Sequence, residues 1–114
     1  MFLQKLRELN VKRCEEAFHH PIDSWSIMEW GCAIGGEAGE LLNVLKKIQR
    51  ADQGIGGRDV SRIEGNEQDA IGDEAADIVI YLDLLCAREG IDLQQHIARK
   101  FNKDSVKVGF KEPL

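Results

Sequence analysis

Apolar residues in this chain recur at intervals of three and four in four separate segments, and no segment sustains a period-two alternation of β-branched residues. That periodicity predicts an all-α fold, because only a helix brings positions i, i+3, i+4 and i+7 onto one face. The first helix is expected from about Phe2 to Phe18, ending near "HHPID", where Pro21 restricts the residue before it. The second is expected from Ser24 or Trp25 to Arg50, and the third from Asp69 to Glu89, closed by Gly90 as a C-terminal cap. Asp92, with Gln95 three residues on, reads as a capping box opening a fourth helix to about Lys103. Ala51 to Gln68 is rich in glycine and charge and reads as a loop, while the tail "DSVKVGFKEPL" has no clear period and reads as loosely packed or part of a site. At 114 residues and 43% apolar, residues 1–114 suit a single domain small enough that pairing with a copy of itself would help bury surface.

The second and third helices carry acids where a core face is expected. Around the second, Trp30, Ile34, Leu41, Val44 and Ile48 form one stripe, with Glu37 in its middle and Glu40 at its edge. Around the third, Ile71, Ile78, Tyr81 and Leu85 form the stripe, with Glu74 at its centre and Asp77 at its edge. A lone pair of helical acids is ordinarily a solvated face paired with lysines, but two pairs at the same spacing, each centred on an apolar stripe, point inward together. Converging carboxylates cannot stay ionised uncompensated, since each buried unpaired charge costs several kcal/mol. A bound cation is the simplest remedy, and an all-oxygen donor set suits Mg²⁺, with Mn²⁺ as a substitute. Asn43 and Lys47 share the flank of Glu40, whereas Lys46 projects roughly opposite the stripe; Lys47 is therefore the expected phosphate contact and Lys46 a surface lysine.

"GEAGELLNVLKKIQR", "GDEAADIVIYLDLL" and "GIDLQQHIARKFNKDSVKVGF" together resemble the MazG-like members of the all-α nucleoside triphosphate pyrophosphohydrolases, from about Trp25 to Phe110. The signature of that superfamily is an EExxE motif, a spacer and an ExxD motif. Glu37 and Glu40 match the last two glutamates of the first, and Glu74 and Asp77 match the second; Gly36 stands where the leading glutamate would be. The resemblance implies a four-helix bundle-like fold assembling as a homodimer or dimer of dimers. It also implies Mg²⁺-dependent cleavage of (d)NTP between the α- and β-phosphates to (d)NMP and pyrophosphate, as nucleotide-pool house-cleaning. Metal held by the four acids would neutralise the triphosphate and activate a water for in-line attack at the α-phosphorus, with Glu37 or Glu40 as a possible base. Lys100 and Asn102 match family positions implied in phosphate or nucleotide contact.

Base recognition is expected upstream of the acids, where "FHHPIDSWSIMEW" offers Trp25 and Trp30 for stacking, with core packing the competing role for Trp30; His19 and His20 read as turn residues. Alternatives within the superfamily are a phosphoribosyl-ATP pyrophosphohydrolase and a dUTPase-type enzyme. A di-iron carboxylate bundle would need histidines where Glu40 and Asp77 stand, and a non-enzymatic helical interaction module would use its acids only for solubility. The net charge of -5, from 20 Asp and Glu against 15 Lys and Arg, argues against binding a nucleic-acid polymer or a membrane surface. With no apolar run of about 18 residues and charged residues interleaved through the N-terminal stretch, neither a membrane span nor a signal peptide is expected, and a cytoplasmic location is. Cys14, Cys32 and Cys86 form no CxxC pair and read as reduced thiols.

Overall fold

The computed structural model describes residues 1–54 and 66–114; the greater part of the expected glycine-rich loop, residues 55–65, lies outside the described residues. The chain is all-α, and its described residues form helices α1 (Phe2–Glu16), α2 (Ile27–Asp52), α3 (Glu67–Arg88) and α4 (Leu93–Lys107), with a 3-10 turn at Ile22–Ser24. No strand occurs among the described residues.

Side-chain oxygens set the helix starts. Ser26 Oγ accepts from the Glu29 amide at 3.2 Å and so begins α2 two or three residues later than the periodicity alone places it. Asn66 Oδ1 accepts from the Asp69 amide at 2.7 Å, which starts α3 two residues earlier than expected. Asp92 caps α4 as the capping box predicts, its carboxylate accepting from the Gln95 amide at 3.1 Å.

Glycine closes α3. Gly90, at φ +68°, donates to Ala87 O at 3.1 Å while Ile91 donates to Cys86 O at 2.8 Å, the paired bonds of a Schellman turn. The same pair of bonds recurs after α4, through Gly109 at φ +73° and Phe110. The segment Asp104–Lys107, expected to be aperiodic tail, is helical; Lys100 and Asp104, one turn apart, pair at 2.7 Å and Lys107 reaches Asp104 at 3.6 Å.

The chain divides into two compact units. The first comprises Met1–Trp25 with Asp83–Leu114, in which α1 packs against α4. Its buried centre is polar as well as apolar. Asp83, 2% exposed, accepts from Arg7 Nε at 2.8 Å and from Asn10 Nδ2 at 3.1 Å, and Arg7 also donates to Ile91 O at 2.9 Å. Cys14 and Cys86 are buried free thiols, both pushed up from the ordinary thiol value chiefly by burial.

The second unit, Ser26–Leu82, holds α2 and the larger part of α3. Trp30 of α2 is 1% exposed, with its ring centroid 6.4 Å from that of Tyr81 on α3. This pair pins one end of the two helices together. Among the described residues, no helix is long and apolar enough to cross a membrane.

Candidate metal centre

Glu37 and Glu40 stand three residues apart on α2, and Glu74 and Asp77 three apart on α3, so each helix offers two carboxylates to one side. The seven residues from Trp30 forward to Glu37 match the seven from Tyr81 back to Glu74, which makes α2 and α3 antiparallel partners through this stretch. One ligand oxygen from each of the four acids lies within 4.8 Å of the others. Glu37, Glu74 and Asp77 are half-buried, and Glu40 is exposed.

The electrostatics follow from that crowding. Glu37 Oε2 and Glu74 Oε2 are shut off from solvent and have no hydrogen-bond partner. Burial pushes the Glu37 carboxyl above the ordinary range, and the neighbouring charge of Glu40, a hydrogen bond with Glu40, and the charges of Asp77 and Glu74 push the same way. Glu74 is also raised, by burial first, then by the charges of Glu40 and Asp77 and a hydrogen bond with Glu40. Four acids this close together leave the cluster short of positive charge. A divalent cation would supply that charge and give the two orphaned oxygens a partner. The donors are all oxygen, as a hard ion requires.

The flanks of α2 differ from one another. Lys47 is half-buried, while Asn43 and Lys46 are exposed. Among the described residues neither Lys46 nor Lys47 forms an ion pair. A cavity of about 440 Å³ opens beside Glu40, lined by Gly36, Gly39, Glu40, Leu42, Asn43 and Lys46. Lys47 is not among its walls. The apolar period carries no sign of this cavity; what the sequence shows there is the spacing of Gly36 and Gly39, both of which line it.

The remaining expected site residues fall as follows. Trp30 is part of the packing against Tyr81, with no ring face left exposed. Trp25 belongs to the first unit, half-buried, with its carbonyl accepting from Arg88 Nε at 2.6 Å and its ring edge-on to His20 at 4.5 Å. Lys100, also in the first unit, is held by Asp104. Asn102 accepts from the Leu114 amide at 2.8 Å and donates to the Leu114 carbonyl at 3.5 Å, so it ties down the tail.

No known family model matches the chain, and no curated protein and no solved structure matches it. The site therefore stands on its own geometry and chemistry.

Proposed function

We propose that the chain is a divalent-metal-dependent nucleoside triphosphate pyrophosphohydrolase of the MazG-like kind, converting (d)NTP to (d)NMP and pyrophosphate in the upkeep of nucleotide pools. The observation that carries this reading is the convergence of Glu37, Glu40, Glu74 and Asp77, with two carboxylate oxygens sealed from solvent and unpartnered. Those four residues would hold Mg²⁺ or Mn²⁺. A bound ion of this kind draws charge from the polyphosphate oxygens and lowers the pKa of water. Glu40 is the only exposed member of the four, so its carboxylate has the access to orient a water and take its proton. The water oxygen bonds to the α-phosphorus, the bridging bond between α-phosphorus and oxygen breaks, and the bridging oxygen leaves on pyrophosphate with the electron pair. The proton passes from Glu40 to solvent. Glu37 and Glu74, being more enclosed, act as ligands.

Pyrophosphate release from a panel of canonical and modified (d)NTPs, with dUTP and phosphoribosyl-ATP included, tests the reading on the wild type and Glu74→Ala. Release with Mg²⁺, none with EDTA, and a loss of roughly 100-fold or more in the variant are expected, because several kcal/mol of charge stabilisation is removed. No release from any member of the panel would overturn it and favour a non-enzymatic helical module.

A further inference from the structure

Pyrophosphate leaves a centre built from four acids, and its own negative charge must be met close by. In the second unit the described cations are few: Lys46, Lys47 and Arg50 on α2, and none on the Glu67–Leu82 part of α3. Arg50 already has an interaction of its own. Two unpaired lysines remain, adjacent in sequence but about 100° apart around the helix. Helical projection favours Lys47, which shares the flank of Glu40. The open space favours Lys46. The cavity beside Glu40 runs over Gly36 and Gly39 towards Asn43 and Lys46, and so joins the only exposed acid of the cluster to a cation and an amide donor. The two glycines keep it open, since no side chain projects from either into it.

From this geometry we infer that Lys46, with Asn43, receives the β- and γ-phosphates of the substrate and holds the pyrophosphate leaving group. The inference rests on the pyrophosphohydrolase reading and assigns to Lys46 the role that projection alone gives to Lys47. The lysine contributes a charge-assisted contact to phosphate oxygens, and Asn43 donates from its side-chain amide. Gly36 and Gly39 leave room for the chain of phosphates to lie along α2.

Lys46→Gln, Lys47→Gln and Lys46→Arg can be compared with wild type in two readouts. The first is calorimetric affinity for pyrophosphate in the presence of Mg²⁺, and the second is the inhibition constant of pyrophosphate together with substrate KM. All three are conservative changes on one helix, and unchanged melting of each variant with and without Mg²⁺ confirms that fold and metal centre are intact. Lys46→Gln is expected to weaken pyrophosphate binding by on the order of tenfold and to raise KM, with Lys46→Arg largely restoring both and Lys47→Gln close to wild type. Wild-type pyrophosphate affinity in Lys46→Gln, with nucleotide still hydrolysed, would overturn the assignment and leave the enzyme reading standing. Wild type that neither binds pyrophosphate nor hydrolyses any nucleotide would overturn both.

Discussion

Glu37 and Glu74 each keep one carboxylate oxygen away from solvent and from any hydrogen-bond partner. Both titrate above the ordinary carboxyl range because burial and neighbouring acids penalise the charged form. A folded pKa raised above the unfolded value of about 4.3 means that the folded chain binds more protons through that window. The stabilisation is therefore fully present below about pH 4.3 and is lost as pH rises through the folded values. In EDTA, Glu74→Gln should match the wild type in melting temperature near pH 4 and exceed it progressively towards neutrality, and a melting series over that range measures the difference. A variant that melts below wild type at pH 7 without metal would show that Glu74 is held by contacts other than those of the cluster. Both pairs of acids were legible in the sequence because helical spacing set them on apolar stripes. Lys46 was not, because projection reduces a side chain to an angle and says nothing of the space that Gly36 and Gly39 leave open.

The helices themselves were legible in number and order, and the departures at their ends have local causes. Ser26 and Asn66 override the apolar period at the starts of α2 and α3 by accepting an amide hydrogen bond three residues on. The extension of α4 through Lys107 depends on charge pairing and on the buried Ser105, features that an apolar period does not register. Asp83 is a single acid within an apolar run, and the period carries no sign of its burial because its partners Arg7 and Asn10 lie on another helix. Glycines on these elements separate into two kinds. Gly90 occupies positive φ at a helix end, where Ala would be strained. Gly35 lies within α2 with open space where a Cβ would be. Gly90→Ala is expected to lower stability by about 1 kcal/mol and Gly35→Ala to raise it by about 0.5–1 kcal/mol in urea unfolding. The same sign for both would contradict the distinction.

Among the described residues of the molecule, buried apolar side chains are scarce: Cys14, Trp30, Leu84 and Cys86. Large apolar groups on α1, α2 and α4 stay open to solvent, among them Phe2 at 80%, Met28 at 72%, Leu42 at 65% and Val106 at 79%. Apolar surface left in water forgoes about 25 cal/mol per Å², which favours the expected association with further copies of the chain. Light scattering on the eluting protein should give a mass twice or four times 12.8 kDa, and a strict 12.8 kDa species at micromolar concentration would contradict assembly. The central claim is narrower: the four carboxylates of α2 and α3 form a divalent-metal site. Calorimetric titration of Mn²⁺ and Mg²⁺ into metal-free wild type and Glu74→Gln at neutral pH tests it most directly. Saturable binding with proton release in the wild type, weakened at least tenfold in the variant, is the predicted result. Equal heats for both proteins, with no stoichiometric binding in either, would contradict it.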